Sequence, residues 1–111
     1  MLTTIVFAAM MNCSNAPNQM AMNTCTAQAA KAADTREQQA YAALLAHVPA
    51  SNKPLVQAAE RAWNAYRSAE CKATTARFAG GSIAPTEYST CRSALDADRI
   101  RTLQTATKEG G

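Results

Sequence analysis

Histidine and aromatic residues are scarce in this chain. Its 111 residues include one histidine, His47, with one tryptophan, three tyrosines and two phenylalanines. A single histidine leaves no obvious partner for a Ser–His or Cys–His nucleophile pair. A phosphate-binding glycine loop is also missing, since Gly80-Gly81 fits a helix stop better than an anion-binding nest. We therefore predict that the protein is not an enzyme and uses no cofactor.

A metal-binding cysteine pattern is likewise missing. The four cysteines, Cys13, Cys25, Cys71 and Cys91, include no CxxC pair, and His47 is distant from all of them in sequence. This spacing argues against a structural zinc site. Four cysteines in one small domain instead predict disulfides, and hence a periplasmic or secreted protein.

Long hydrophobic runs do not occur. The longest apolar stretch, residues 2–11, is too short to span a membrane. It resembles the core of a secretory signal peptide but lacks a positively charged region before it, and Val6-Phe7-Ala8 would be a poor cleavage site. We expect residues 1–12 to be a signal-peptide remnant or a disordered N-terminus, and a buried first turn is the alternative. The residues before Cys13 do not resemble a lipoprotein signal, so we predict no lipid anchor.

The charge balance is mildly basic. Eleven lysines and arginines against eight acidic residues give a formal charge of +3. The basic residues are scattered, without a run and with few aromatic neighbours, which argues against a nucleic-acid partner.

Apolar residues recur at helical spacing in segments separated by proline and glycine. The first predicted helix covers residues 18–48, contains no Gly or Pro, and would be about 45 Å long. Pro49 ends it, because the residue before a proline is biased away from helical geometry. Ser51 or Asn52 can cap a second helix that has Pro54 in its first turn.

The second helix is predicted to end near Phe78, at Gly80-Gly81, and Pro85 opens the third. Three helices with short connections indicate one domain over residues 13–108. We predict an all-α fold, an elongated antiparallel three-helix bundle stapled by two disulfides.

Distances from the two turns predict which residues of neighbouring helices face each other. Asp34 and Arg67 are equally far from a turn centred near residues 50 and 51. This placement predicts an interhelical ion pair that stabilises by about 1 kcal/mol if partly exposed.

The same reasoning applies to the cysteines. Cys71 and Cys91 are equally far from a turn near residue 81, which favours a disulfide between them. Cys25 lies roughly 7 Å along the axis from the level of Cys71, leaving Cys13–Cys25 as the second bridge. Four cysteines allow three connectivities, and Cys25–Cys71 with Cys13–Cys91 stays open.

The segment AERAWNAYRSAEC is typical of a core-facing helix. Its spacing puts Trp63, Tyr66 and Cys71 on one side, and we expect Trp63 and Tyr66 to anchor the core against the first helix. Two carboxylates of the same helix, Glu60 and Glu70, are expected on solvated faces rather than as a glycosidase pair.

Three blocks of sequence form a combined pattern. They are Cys13 with NQMAMNTC and ADTREQQAY; AERAWNAYRSAEC; and Gly80-Gly81-Ser82 followed by Pro85, Tyr88, Cys91 and LDADR. Together they resemble the LprI-type lysozyme-inhibitor-like family of small secreted or lipid-anchored bacterial proteins, over residues 13–103. Family members that retain only the first two cysteines imply the Cys13–Cys25 pairing. Ala21 replaces a family Glu, and Glu37-Gln38 replaces a Leu-Asn pair, which we expect to weaken the core face of the first helix.

The resemblance implies a secreted or periplasmic binding protein that inhibits a lysozyme, a muramidase, by steric occlusion of its cleft. The expected inserting element is the exposed turn of Gly80, Gly81, Ser82 and Ile83, and the alternative is that this turn only connects helices. A chain at +3 lacks the negative potential that complements a basic lysozyme, unless acidic side chains cluster locally. The alternative function is a non-inhibitory cell-envelope adaptor or immunity-like protein that binds another periplasmic partner.

Overall fold

The protein is an all-α bundle of three helices, seen in a computed structural model that describes residues 12–110. The helices are α1 (Gln19–His47), α2 (Lys53–Thr74) and α3 (Ala84–Lys108). Short 3₁₀ turns lie at Asn12–Asn15, Ala50–Asn52 and Ala76–Phe78, and residues 12–110 contain no strand. The predicted fold class is confirmed. The expected signal-peptide remnant lies almost entirely outside the described residues.

Side chains form hydrogen bonds with backbone groups at both ends of α1. The side chain of Asn18 accepts a hydrogen bond from the backbone N–H of Ala21 at 2.8 Å, which caps the N-terminus. At the other end, Lys53 Nζ donates to the carbonyl oxygens of Leu45 and Val48. A cation at a helix C-terminus meets the negative end of the helix dipole, so the first residue of α2 also stabilises the end of α1.

The second helix ends four residues before the predicted stop. It finishes at Thr74, and a separate 3₁₀ turn, Ala76–Phe78, precedes the glycines. The hydroxyl of Thr75 donates to the carbonyl of Cys71 at 2.5 Å. Such side-chain bonds compete with the helical ladder and favour an early end.

The three helices form a flat, elongated molecule of 49 × 36 × 14 Å. Gln19 contacts Thr86 near the start of both α1 and α3, and Leu44 packs with Leu103 near their ends, so these two helices run in the same direction. They pack closely along their length. The second helix runs antiparallel to both and forms ion pairs with each of them.

Buried apolar residues concentrate at the end of the bundle beside the α1–α2 turn. There Leu44, Val48 and Leu103 form one cluster, covered by partly buried neighbours: Ala40, Tyr41, Val56 and Ala106. We call this cluster the apolar end. The opposite end, which holds both disulfides and the α2–α3 turn, is called the disulfide end.

Candidate functional site: an exposed turn at the disulfide end

The predicted partner-binding turn, residues 80–83, is exposed at all four positions. Gly80 has a φ of 83°, a left-handed conformation that favours glycine. The N–H of Gly81 donates to the carbonyl of Phe78 at 2.9 Å, and the N–H of Ala84 donates to Gly81 at 3.2 Å. Ile83 leaves 39% of its surface exposed. The turn therefore has a defined backbone and still presents an apolar side chain to solvent.

The first helix holds this turn from the side. Asn23 donates from Nδ2 to the carbonyl oxygen of Ser82 at 2.9 Å. Its Oδ1 accepts from Thr86 at 2.6 Å and from Gln19 at 2.8 Å. One amide thus joins α1 to the turn and to the first residues of α3. Asn23 lies in the NQMAMNTC block, but the sequence offers no signal for this role beyond that match.

Two disulfides lie at the same end. Cys13 pairs with Cys25, joining the first described turn to α1, and Cys71 pairs with Cys91, joining α2 to α3. The alternative connectivity of Cys25 with Cys71 does not occur. Cys71 has no solvent exposure. The Cys71–Cys91 disulfide therefore joins the two helices on either side of the exposed turn.

Between α2 and the α1–α3 pair lies a second constellation, which we call the charged layer. It contains four carboxylates and three arginines: Asp34, Glu37, Glu60, Asp96, Arg67, Arg92 and Arg99. In one half, Arg67 Nη1 lies 2.9 Å from Asp34 Oδ1 and 2.7 Å from Asp96 Oδ1, while Arg92 reaches the other oxygen of Asp34 at 2.5 Å. The expected Asp34–Arg67 pair is thus one contact of a larger network that spans all three helices.

The other half of the charged layer is centred on Arg99. Its Nη2 lies 3.0 Å from Glu60 Oε1, and its Nε lies 3.9 Å from Glu37 Oε2. The amide of Gln38 donates to Glu37 at 2.9 Å and to Glu60 at 3.2 Å. Glu37 and Gln38, which we expected to weaken the core face of α1, instead link it to α2 and α3.

Two carboxyl groups of the layer have strongly raised pKa values. Burial, and then a hydrogen bond with Glu60, raise the pKa of Glu37 to about 8. Burial, and then a hydrogen bond with Asp34, raise the pKa of Asp96 to about 7. One oxygen of each buried carboxyl finds no donor within residues 12–110. A buried oxygen without a donor disfavours the charged form of each carboxyl group, which fits the raised pKa values.

The expected burial of Tyr66 is wrong. Tyr66 is 51% exposed, whereas Trp63 is half-buried with the guanidinium of Arg67 4.8 Å and that of Arg99 5.6 Å from its ring. The inward face of α2 follows Glu60, Trp63, Arg67 and Cys71. Tyr66 precedes Arg67 by one residue, which turns it about 100° away from that face.

The expected solvation of Glu60 is also wrong. Glu60 is only 5% exposed because it pairs with Arg99 of α3, whereas Glu70 is partly exposed. A carboxylate enclosed by its own ion pairs cannot approach a polysaccharide. Within the described range, no group of His, Cys, Asp and Glu could hold a metal ion. None of the three helices has the length and apolar character needed to cross a membrane.

Comparison with known proteins places this architecture in a family. Residues 10–103 match the family model described as "Lysozyme inhibitor LprI". The chain is also 29% identical over 106 residues to "Uncharacterized protein R02472" of Rhizobium meliloti (strain 1021), an alignment that covers 84% of this chain and 76% of that protein. No solved structure matches the chain. Because the family match covers most of the chain, the protein belongs to the LprI lysozyme inhibitor family.

Proposed function

We propose that this protein is a secreted or periplasmic binding protein that inhibits a muramidase by inserting residues 80–83 into the enzyme cleft. The observation that carries the proposal is the exposure of this turn on a rigid base. Its backbone is hydrogen-bonded internally and to Asn23, and the Cys71–Cys91 disulfide joins the helices on either side. Family membership supports a lysozyme as the partner.

A rigid inserting element favours tight inhibition. Ordering a flexible loop on binding costs free energy for each side chain and backbone segment that becomes fixed. The turn at the disulfide end is already ordered in the free protein, so less of that cost remains. The partner would contact the exposed side chain of Ile83 and the exposed backbone of Gly80-Gly81.

The rest of the molecule supports a binding role without catalysis. The largest concentration of ionisable groups, the charged layer, lies between helices and is engaged in its own ion pairs. We therefore assign it to the fold and assign partner contact to the disulfide end.

Inhibition can be measured by the clearing of a peptidoglycan suspension by several muramidase types. We expect the wild-type protein to slow clearing by at least one of them at micromolar excess. Ile83→Ala should weaken that inhibition roughly tenfold, because it removes an exposed apolar contact. Leu55→Ala, which shortens a 70% exposed leucine near the other end, is the matched control and should inhibit like wild type.

Two results would count against this assignment. Absence of inhibition for every muramidase type would remove the inhibitory function. Equal inhibition by wild type and Ile83→Ala would support the inhibitory function but show that Ile83 of the turn is not the contact.

The second candidate function is a non-inhibitory cell-envelope adaptor or immunity-like protein. The positive net charge favours it, since a basic lysozyme would be repelled at long range. Capture of another periplasmic protein by the wild type, with no effect on any muramidase, would support this candidate.

A further inference from the structure

The charged layer leaves an uneven distribution of charge over the remainder of the protein. Four of the eight carboxylates are in the layer, but only three of the eleven basic residues. Four acidic and eight basic side chains therefore remain outside it. By formal charge these eight basic and four acidic side chains carry +4, so the surface that a partner approaches is basic.

One of these basic groups stands beside the exposed turn. Arg77 is exposed on the 3₁₀ turn Ala76–Phe78, three residues before Gly80. Its guanidinium lies 4.8 Å from the ring centroid of Phe78, and Phe78 is itself half-buried. Within residues 12–110, no carboxylate lies at ion-pair distance from Arg77. The cation is held against a ring and remains available to a partner.

A muramidase cleft offers the complementary chemistry. Enzymes that hydrolyse glycosidic bonds generally place two carboxyl groups on either side of the scissile bond. A guanidinium can donate two parallel hydrogen bonds to one carboxylate, which gives it an advantage over an ammonium group at such a site. Exclusion of water from the cleft would strengthen that contact.

We propose that Arg77 is the contact residue that meets a carboxylate in the partner's cleft, and that the partner is a muramidase with an acidic surface. The inference rests on the proposed inhibitory function, and it adds the residue that supplies the polar contact and the charge class of the enzyme. Ile83 and Arg77 then flank the glycines as an apolar and a cationic contact.

The test compares inhibition constants of wild type, Arg77→Ala, Arg77→Lys and Arg61→Ala. Arg61 is an exposed arginine in the middle of α2, so its variant controls for loss of one positive charge. Each protein is assayed against one acidic and one basic muramidase, at low and at high salt. Melting curves recorded by circular dichroism establish that all four proteins are folded.

We expect tighter inhibition of the acidic enzyme, and weaker inhibition as salt rises. Arg77→Ala should weaken inhibition of the acidic enzyme by about tenfold or more, with Arg77→Lys intermediate, because a buried charge pair contributes more than a peripheral charge. Arg61→Ala should change it by about twofold or less.

Three outcomes separate this inference from the function on which it rests. If the wild type inhibits neither enzyme, both the inhibitory function and the role of Arg77 are ruled out. A wild type that inhibits, with Arg77→Ala equal to it, overturns only the role of Arg77. Inhibition of the basic enzyme as tight as that of the acidic one at low salt overturns the charge class of the partner.

Discussion

The apolar end and the charged layer hold the same three helices together by different physical means. At the apolar end, the side chains of Leu44, Val48 and Leu103 pack as one hydrophobic cluster. A few residues away, α2 meets its neighbours through Arg67 and Arg99, which together contact carboxylates from all three helices. One region depends on burial of apolar area, and the other on exact pairing of buried charges.

The difference lies in how each region responds to change. Apolar packing tolerates substitutions of similar volume and loses stability in proportion to the atoms removed. A buried ion network is costly to desolvate and becomes strongly unfavourable when one partner is missing. We therefore expect the charged layer to be the more sensitive region.

Arg67→Ala should give the largest loss of stability. It leaves Asp96, which has no solvent exposure, without its guanidinium partner, and it also removes a contact from Asp34. Removing one member of a buried ion network typically costs about 3–5 kcal/mol. Chemical denaturation followed by circular dichroism at neutral pH measures the change.

Arg61→Ala is the control for that experiment, because it removes an exposed arginine from the same helix. Its free energy of unfolding should stay within about 0.5 kcal/mol of wild type. If Arg67→Ala were equally mild, the charged layer would be peripheral to stability and the contrast between the two regions would disappear.

Leu103→Ala tests the apolar end. Leu103 is 1% exposed and belongs to the same cluster as Leu44 and Val48, so truncation of its side chain creates a cavity beside them. We expect a loss of about 3 kcal/mol, within the usual range for buried leucines. Leu55→Ala, at a 70% exposed position near the same end, should be nearly neutral. A similar loss for both variants would show that burial does not determine stability at this end.

The helices and turns follow from local chemistry that can be read in the sequence. Asn18 caps α1, Pro54 lies in the first turn of α2, and the third helix begins next to Pro85. The positions of Cys71 and Cys91 along their helices depend only on the rise per residue and on where the turn lies. Local signals of this kind do not require knowledge of which helix faces are buried.

The charged layer could not be predicted as a whole. One pair, Asp34 with Arg67, follows from the register of two neighbouring helices, but the contributions of Asp96 and Arg92 require the position of the third. Glu60 is expected on a solvated face because it is charged, and Glu37 is expected to interrupt the apolar face of α1. Their burial depends on long-range pairing with Arg99, which carries no local signal.

The smallest expected effect concerns the pH dependence of the charged layer. The pKa of Glu37 is raised to about 8 and that of Asp96 to about 7, so the folded protein holds these protons more tightly than the unfolded chain does. The stability from these groups is fully present below about pH 4 and is lost as pH rises through 7 and 8. We expect this part of the free energy of unfolding to fall as pH rises from about 5 to about 9.

Glu37→Gln should reduce that fall, because an amide stays neutral and can still donate a hydrogen bond to Glu60. At about pH 9 the variant should be more stable than wild type, and adding Asp96→Asn should flatten the profile further. Glu109→Gln, at an exposed position near the C-terminus, should retain the wild-type profile. An unchanged slope in Glu37→Gln would mean that Glu37 does not hold a proton in the folded state.

Trp63 allows the same titration to separate the two regions. As the only tryptophan, with arginines of the charged layer on its ring, it reports on that layer and not on the apolar end. If the layer weakens first as protons leave Glu37 and Asp96, tryptophan emission should shift to longer wavelength before helical circular dichroism is lost. If both signals change together, the charged layer and the apolar end unfold as one cooperative unit. The two regions would then differ in the interactions that hold them together but not in local stability.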